Sequence, residues 1–294
     1  MAAIDGQESN VSRAARFSES CPCSLGEKKP GTDITFPRSY KNILMLVGPG
    51  TSTRMIYHGL KNKLPIARVI MEEPVPRKEF LQRRIKKLGW RKVLGQILFK
   101  SLVVRYIEAT SKARVQEIMQ EFGLDDSPID PDLVSYVPSV NSEETISLLM
   151  QFNPDVILVN GTRIISRKVL KSVPAVFINT HTGITPLYRG VHGAYWALVG
   201  RNPQACGVTV HLVDAGIDTG SILEQAVIQP TPRDNFTTYP LLQIAAALPL
   251  IHRAISFALE GSVRTQPAPE GRSALWSHPT LVEYLWNRLR FGVK

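Results

Sequence analysis

Short apolar runs alternate with helical patterns through the first two thirds of the chain. Residues 43–47 form a continuous apolar run that ends in a glycine-containing turn, and apolar residues at helical spacing follow it. Asn141 and Glu144 mark the start of a helix over 142–152. Further apolar runs lie at 66–71, 155–159 and 175–178. Because strands buried on both faces read as continuous apolar runs, the pattern predicts an α/β fold with a Rossmann-like, mainly parallel sheet and helices on both faces.

The pattern changes in the last third of the chain. Over 206–212, apolar residues alternate with polar ones, which predicts a strand that is less deeply buried than the earlier ones. A glycine-rich turn at 214–220 joins it to a strand at 222–228. A long helical pattern then runs from about 235 to 261, and Pro249 within it can bend the helix.

These patterns divide the chain into three parts. Residues 1–40 are polar and lack a periodic apolar pattern, so we expect a loosely ordered tail. Residues 41–261 form the predicted globular domain. Residues 262–294 are expected to form a linker, over 265–277, and a short amphipathic helix that packs on the core or on another subunit. The apolar side of that helix is outlined by Leu281, Tyr284, Leu285 and Leu289.

Composition excludes several classes of protein. The chain has 294 residues, of which 44% are apolar and 20% charged, as is typical of a globular protein. Three cysteines are too few for a disulfide framework, and Cys21 and Cys23 lack the second pair or the histidines that a zinc site requires. No segment resembles a secretory signal, and the longest apolar run, 244–251, is far shorter than the ~20 residues of a membrane span. We therefore expect a cytoplasmic protein without a membrane span.

The net charge of +10 is concentrated in one segment, the basic insertion at 77–105. It contains ten Lys or Arg residues against a single acid, Glu79. Apolar residues at helical spacing are interleaved with them, so the favoured interpretation is a solvated helix pair packed on the core. The alternative is a surface that attracts an anion, either a nucleotide-linked ligand or a phospholipid headgroup.

The turn after the first strand has features of a nucleotide site. Gly48 and Gly50 precede Thr51 and Ser52 at the start of a helix, and such a turn can bind a phosphate through main-chain N–H groups and hydroxyls. Glu72 closes the next strand, where a ribose-binding acid would lie, but the third glycine of the dinucleotide fingerprint is missing. An ordinary strand-to-helix turn explains these residues equally well.

Three polar residues follow predicted strands: Asn179, His181 and Asp218. In an open α/β sheet, substrates bind at such strand ends. An amide, an imidazole and a carboxylate together can deprotonate an amine and stabilise a tetrahedral oxyanion. Each residue also has an ordinary structural explanation, as a turn residue or a core histidine. His192 and His211 do not complete a compact zinc motif with His181, so structural roles are favoured for both.

Two longer segments carry a family resemblance. Residues 179–190 read Asn-Thr-His-Thr-Gly-Ile-Thr-Pro-Leu-Tyr-Arg-Gly, and residues 207–220 read Gly-Val-Thr-Val-His-Leu-Val-Asp-Ala-Gly-Ile-Asp-Thr-Gly. They resemble the Asn-x-His segment and the Asp-containing signature of the folate-dependent formyltransferases. This family contains glycinamide ribonucleotide, methionyl-tRNA and amino-sugar N-formyltransferases, and the chain looks nearest to the amino-sugar members. Residues 158–165 resemble the strand and loop that hold the pterin of 10-formyltetrahydrofolate.

The resemblance implies a catalytic domain at 41–261 and a role for each matching residue. Asn179 and His181 would polarise the formyl carbonyl and stabilise its oxyanion. Asp218 would keep His181 charged and relay the proton of the attacking amine. No metal is implied. The residues expected to bind the folate co-substrate are Thr162, Arg163, Ile164, Ile165 and Asp214. The resemblance transfers no acceptor contacts in the first half of the chain. The residues expected to bind the acceptor are therefore those of the turn after the first strand, Gly48, Gly50, Thr51 and Ser52, together with Arg189 and Gly190.

The expected function is transfer of a formyl group from 10-formyltetrahydrofolate to a primary amine of a small, nucleotide-linked acceptor. An amino sugar is the first choice, and glycinamide ribonucleotide is the alternative. Only 33 residues follow Gly261, fewer than a tRNA-binding domain requires, so tRNA is not expected as a partner. A peripheral contact of 77–105 with an anionic surface and a homodimer are left open. The remaining alternatives are a 10-formyltetrahydrofolate hydrolase and a membrane- or nucleic-acid-binding protein on an inactive scaffold.

Overall fold

A computed structural model describes residues 34–35 and 42–294. Cys21 and Cys23 lie outside the described residues, as does the predicted tail except for two residues. These two form strand β1 (Ile34–Thr35), which pairs antiparallel with β10 (Ser262–Val263).

The centre of the molecule is a seven-stranded sheet with the strand order β4-β3-β2-β5-β6-β8-β9. The first five strands in this order, β4, β3, β2, β5 and β6, run parallel to one another. Strand β8 is antiparallel to both β6 and β9. The predicted α/β class with a mainly parallel sheet is therefore confirmed. The strands are β2 (Ile43–Val47), β3 (Ile66–Glu72), β4 (Val134–Val137), β5 (Val156–Asn160), β6 (Val176–His181), β8 (Gly207–Leu212) and β9 (Ile222–Val227).

Strand β2 shows why the apolar runs are continuous. Its alternate residues face two separate cores: Ile43 and Met45 belong to one, and Leu44 and Leu46 to the other, and all four are inaccessible to solvent. Helices cover both faces, so each successive side chain must be apolar. These helices are α1 (Thr51–Leu60), α6 (Glu143–Phe152), α7 (Arg167–Leu170), α8 (Gly193–Val199) and α9 (Tyr239–Leu259).

Caps set the helix boundaries in two places. The Ser142 side chain accepts a hydrogen bond from the Thr145 N–H and begins α6, so the cap is Ser142 rather than the predicted Asn141. The Thr280 hydroxyl and the Glu283 carboxylate form a capping box that begins α10 (Leu281–Phe291).

Helix α9 is the long core helix of the domain. Its 21 residues make it long and apolar enough to cross a membrane by length and composition, although 67% of its most apolar window is buried inside the protein. It packs on β8 and β9, with Pro249 exposed on its outer side. The cytoplasmic location stays a prediction.

Strand β8 corrects a prediction. Its alternating sequence suggested shallow burial, yet five of its six residues are buried, because it lies between β6 and β9. Its polar residues are buried with partners: Thr209 Oγ1 donates to the Gly183 carbonyl, and His211 Nδ1 donates to the Leu212 carbonyl. The alternation therefore marks polar groups satisfied inside the protein rather than a solvated face.

The basic insertion forms two helices that differ in burial. Helix α2 (Arg77–Leu88) buries no side chain, so it does not pack on the core as predicted. Helix α3 (Trp90–Leu98) buries Val93 and Gln96 and contacts α10. A π-helical turn (Phe99–Val104) then leads into α4 (Arg105–Thr110) and α5 (Lys112–Glu121).

The C-terminal region is more structured than predicted. The expected linker contains strand β11 (Ala274–Trp276), which pairs parallel with β7 (Tyr188–Gly190). Helix α10 packs on the core through Tyr284 and Asn287, and the Asn287 amide donates to the Tyr195 hydroxyl. Leu285 and Leu289, which were expected on the packed face, are exposed. The packed face of α10 includes the polar residue Asn287, which a search for apolar residues at helical spacing cannot identify.

Candidate active site

A cavity of about 470 Å³ opens where β5, β6 and β8 end. Its walls are the loops that follow these strands, with one side of α9 and the start of α1. Ten of the predicted site residues line it: Ser52, Thr162, Arg163, Ile164, Ile165, Asn179, His181, Gly190, Asp214 and Asp218. Gly48, Gly50, Thr51 and Arg189 are not among its lining residues.

The structure brings Asn179, His181 and Asp218 together on one wall. His181 Nδ1 lies 3.4 Å from Asp218 Oδ2. His211 completes the cluster, because its Nε2 lies 3.1 Å from the Asn179 amide nitrogen and 3.8 Å from Asp218 Oδ1. His211 had been assigned a structural role, and its position on the same face of β8 as Thr209 gave no sequence signal for this contact. Asp218 has φ of 51°, a left-handed conformation that aspartate tolerates.

The partners of each histidine ring fix its tautomer. His181 Nε2 lies 2.8 Å from the Tyr188 carbonyl oxygen, which can only accept, so Nε2 carries a proton. The ring atom that can take up a further proton is therefore Nδ1, beside Asp218. In the same way, His211 donates from Nδ1 to the Leu212 carbonyl at 2.7 Å, so its Nε2 accepts from the Asn179 amide.

The electrostatics of this pair favour a neutral ring beside a charged carboxylate. Burial lowers the pKa of His181 below its ordinary value, although Asp218 acts in the opposite direction. Burial raises the pKa of Asp218, but its contacts with His211, His181 and the Gly190 N–H outweigh that effect, so that pKa is lowered overall. The imidazolium expected from the sequence would therefore form only when His181 takes up a proton during the reaction.

Strand β7 supplies a second wall of the cavity through its main chain. The Tyr188 carbonyl holds His181, and the Gly190 N–H donates to Asp218 Oδ2 at 3.2 Å. The Arg189 guanidinium donates to the Ile217 carbonyl, next to Asp218, rather than facing the cavity. Gly190 has φ of 95°, and a Cβ there would lie 2.3 Å from the Trp276 carbonyl oxygen, so only glycine fits without a shift.

The loop over 161–165 is held by a buried carboxylate. Glu72 is 5% exposed, accepts from the main-chain N–H groups of Arg163 and Val140, and lies 3.5 Å from the Arg163 guanidinium. That guanidinium also donates to the Pro138 and Glu73 carbonyls. Glu72 therefore shapes this loop, because both of its carboxylate oxygens accept from main-chain N–H groups.

The turn after β2 packs closely against the 161–165 loop, and the Gly48 N–H is already hydrogen-bonded. The Gly48 N–H donates to the Asn160 carbonyl, and a Cβ at Gly48 would lie 2.2 Å from the Gly161 carbonyl oxygen. The Asn160 side chain donates to the hydroxyls of Ser52 and Thr53. Gly48 thus lets the turn approach the 161–165 loop, which favours the ordinary-turn interpretation for Gly48. Of the four predicted residues in this turn, only Ser52 reaches the cavity.

A metal centre is not formed by the part of the chain that the structure describes. No group of three His, Cys, Asp or Glu side chains within residues 34–35 and 42–294 is placed to hold an ion. His192 lies beside His278 and away from His181, as described below.

Comparisons with known proteins support the class of protein that this fold and site suggest. Residues 104–240 match the family model described as formyl transferase. The matched segment, just under half of the chain, contains Asn179, His181 and Asp218. The resemblance found in the sequence is confirmed.

Two relatives and one solved structure set the extent of the similarity. A methionyl-tRNA formyltransferase of Desulfotalea psychrophila is 34% identical over 100 residues, 34% of this chain and 31% of that protein. One of Chloroflexus aurantiacus is 31% identical over 154 residues, 47% of this chain and 48% of that protein. The matches thus span from a third to a half of these relatives. A Mycobacterium tuberculosis structure assigned as a sugar N-formyltransferase has a TM-score of 0.51 at 15% identity, covering 84% of this chain and 86% of that chain, and shows a shared fold alone.

One prediction about partners is wrong. The sequence was taken to exclude tRNA, yet the relatives that match it are methionyl-tRNA formyltransferases. That prediction relied on the number of residues after Gly261 and not on the matched segment.

Proposed function

We propose that this protein transfers the formyl group of 10-formyltetrahydrofolate to a primary amine. The observation that carries the proposal is the cluster of Asn179, His181 and Asp218 on one cavity wall, within the segment that matches the formyl transferase family. The family resemblance in the sequence implied these roles, and the short distances among the three side chains support them.

Each side chain has a step that its surroundings allow. The amine nitrogen attacks the formyl carbon, the bond from that carbon to N10 of the folate breaks, and N10 takes up the proton that the amine gives up. Asp218, held ionised, accepts the proton from the amine, and Nδ1 of His181 at 3.4 Å can receive it. The Asn179 amide has one N–H on His211 and a second that can stabilise the oxyanion.

The proposed folate site is the part of the cavity formed by Thr162, Arg163, Ile164, Ile165 and Asp214. A volume of about 470 Å³ is typical of a site for a ligand of this size. Thr180 Oγ1 is buried beside the cavity and has no hydrogen-bond partner among the described residues, so the site offers a polar atom that a ligand could satisfy. When bound, 10-formyltetrahydrofolate supplies the activated one-carbon group.

Two acceptors are proposed, on different observations. The aminoacyl end of a tRNA is supported by the relatives, which are methionyl-tRNA formyltransferases. A nucleotide-linked amino sugar is supported by the Arg189-Gly190 form of the segment after His181. Both present a primary amine, so the chemistry at Asp218 is the same for either one.

The test is a formyl-transfer assay with a panel of acceptors. The purified chain is incubated with 10-formyltetrahydrofolate and, separately, aminoacylated tRNA, amino-sugar nucleotides and glycinamide ribonucleotide, and tetrahydrofolate release and acceptor mass are followed. A mass gain of one formyl group, abolished by Asp218→Asn and retained by Asp132→Asn at an exposed site, is expected for one acceptor. Formate release without an amine would point to a hydrolase, and no folate turnover in any mixture would overturn the proposal.

A further inference from the structure

Strand β7 carries part of the catalytic centre but lies outside the seven-stranded sheet. Its main chain contacts His181 and Asp218, as described above. Among the described residues its strand partner is β11, from the region that the sequence predicted to be a linker. The position of β7, and with it the geometry of the site, therefore depends on what holds β11.

The two strands are joined closely. Trp276 pairs with Gly190, the Ala274 N–H donates to the Leu187 carbonyl, and the Val191 N–H donates to the Trp276 carbonyl, each bond at 3.3 Å. The close approach at Gly190 leaves no space for a Cβ. A shift of β11 would thus be transmitted to the main chain that contacts Asp218.

Strand β11 and the two residues after it are anchored to α8. The Trp276 ring stacks on Trp196 with centroids 4.7 Å apart, and Trp196 Nε1 donates to the Ser277 carbonyl at 3.0 Å. His278 Nδ1 lies 2.9 Å from Nε2 of His192, the residue that precedes α8. Since His192 is only two residues from Gly190, this contact fixes the end of β7.

The histidine contact is a neutral hydrogen bond in a buried setting. Burial and the neighbouring His278 lower the pKa of His192 to about 3, and burial with the charges of Arg84 and Lys100 lowers the pKa of His278 to about 4. Both rings are therefore uncharged near pH 7, and one donates to the other. The His192 ring also packs on Phe236, with centroids 4.2 Å apart.

The basic insertion supports the same contact from outside. The Gln96 amide of α3 donates to the His278 carbonyl at 2.6 Å, and Arg84 donates to the Gln96 side-chain oxygen. The backbone of His278 is thus held by one element while its ring holds another.

We propose that residues 274–278 form a clamp that positions β7 in the catalytic centre, with His278 as a positioning residue that acts on Asp218 through His192 and Gly190. This inference rests on the proposed function for its kinetic effect. It adds a role for a segment beyond the catalytic residues, and it assigns that role to the contact between two neutral histidines.

The kinetic test compares His278→Ala with His278→Asn, whose side-chain amide can place a polar atom near the position of Nδ1. The alanine variant is expected to lower kcat by roughly 10- to 100-fold with little change in the KM values, since small displacements at a reacting centre have effects of that size. The asparagine variant should recover most of the rate. His252→Ala, on α9, is the matched control and should retain the wild-type rate.

The pH profile separates positioning from a general loss of structure. The groups that face Asp218 are His181, His211 and the Gly190 N–H, and Arg189 binds the main chain beside it. A looser Gly190 contact removes one donor from the carboxylate and raises the pKa of Asp218, so the acidic limb of kcat/KM should move to higher pH in His278→Ala. An unchanged profile and kcat, with only a lower melting temperature, would overturn the proposal.

A second variant and an activity-independent measurement complete the test. Trp196→Phe keeps the aromatic packing but removes the Nε1 donor to Ser277, and it should shift the profile in the same direction by a smaller amount. Amide hydrogen exchange at Gly190 and Val191 should be faster in His278→Ala than in the wild type and the control. If the wild type transfers no formyl group, the proposed function fails while exchange still tests the clamp; unchanged exchange at both amides would reject the clamp.

Discussion

The two walls of the catalytic centre are held in different ways. Asn179 and His181 lie on β6, which is fixed on both sides by the sheet, between β5 and β8. The second wall is the main chain of β7, which pairs with β11 from the C-terminal region. The contact that anchors the second wall joins residues 86 positions apart. The wall formed by β6 is therefore held by neighbouring strands of the sheet, whereas the wall formed by β7 depends on β11, which lies near the C-terminal end of the sequence.

The largest effect is expected at Asp218, whose carboxylate contacts both His181 of β6 and the Gly190 N–H of β7. Asp218→Asn cannot accept a proton, so kcat should fall by about 10³-fold while the KM for the folate changes little. Steady-state kinetics, with Asp132→Asn as the control, measure this. Near-normal turnover in the Asn variant would remove Asp218 from the proposed chemistry.

The wall formed by β6 can be tested at Asn179, which is proposed to act directly on the substrate, and at His211, which is proposed to act through its neighbours. Asn179→Ala removes the proposed oxyanion donor and should lower kcat by about 100-fold. His211→Gln keeps a polar group near Asn179 and should lower kcat by about 10-fold, because His211 acts only through Asn179 and Asp218. Equal effects from the two variants would contradict this ranking.

The folate side of the cavity depends on a third element, the loop at 161–165. The two carboxylate oxygens of Glu72 accept from the main-chain N–H groups of Arg163 and Val140. In Glu72→Gln an NH₂ group replaces one of these oxygens, so one of the two N–H groups loses its acceptor. The loop should become less ordered, and the KM for 10-formyltetrahydrofolate should rise by about 10-fold with kcat nearly unchanged. Glu73→Gln, at the neighbouring exposed residue, is the control. A fall in kcat without a change in KM would show that Glu72 affects the chemical step rather than folate binding.

The smallest effect concerns stability of the clamp-held wall in acid. His192 and His278 have lowered pKa values in the fold, about 3 and about 4, whereas in the unfolded chain both take up a proton as the pH falls through about 6.5. Between pH 7 and pH 5 the unfolded state therefore binds more protons, and the free energy of unfolding should fall by on the order of 1 to 2 kcal/mol for each histidine.

Urea unfolding at pH 7 and pH 5 measures this loss. His278→Asn removes one titrating ring, so its stability should fall less between the two pH values than that of the wild type. A His278→Asn variant with an undiminished difference would show that the ring of His278 does not titrate as its burial implies.

The wall formed by β6 was largely predictable from the sequence, and the clamp was not. Continuous apolar runs identified the buried strands, and Asn179, His181 and Asp218 were predicted as site residues from their positions after strands and from the family resemblance. The alternating sequence of β8 was misinterpreted because periodicity cannot tell a solvated polar residue from a buried one with partners. His211 was set aside for the same reason.

The clamp has no signal of this kind. Strand β11 is three residues long, and its pairing with β7 is set by tertiary contacts such as the stacking of Trp276 on Trp196. The packed side of α10 includes Asn287, whose amide is satisfied by Tyr195, so an apolar stripe pointed to the wrong face. The tRNA prediction failed differently, since it relied on chain length and not on the chemistry of the matched segment.

Thr209 shows how narrow the choice of residue can be at a position that resembles ordinary core. The side chain is inaccessible to solvent, and its hydroxyl accepts from the Thr185 N–H and the Gln225 amide while donating to the Gly183 carbonyl. Valine has nearly the same shape as threonine and a high β-strand propensity, so a sequence-design procedure guided by shape and burial would select it. That choice would leave a donor, an acceptor and an amide without their common partner beneath the loop that follows His181. Redesign of this scaffold for a new acceptor therefore has to treat residue 209 as part of the site, although it never meets the substrate.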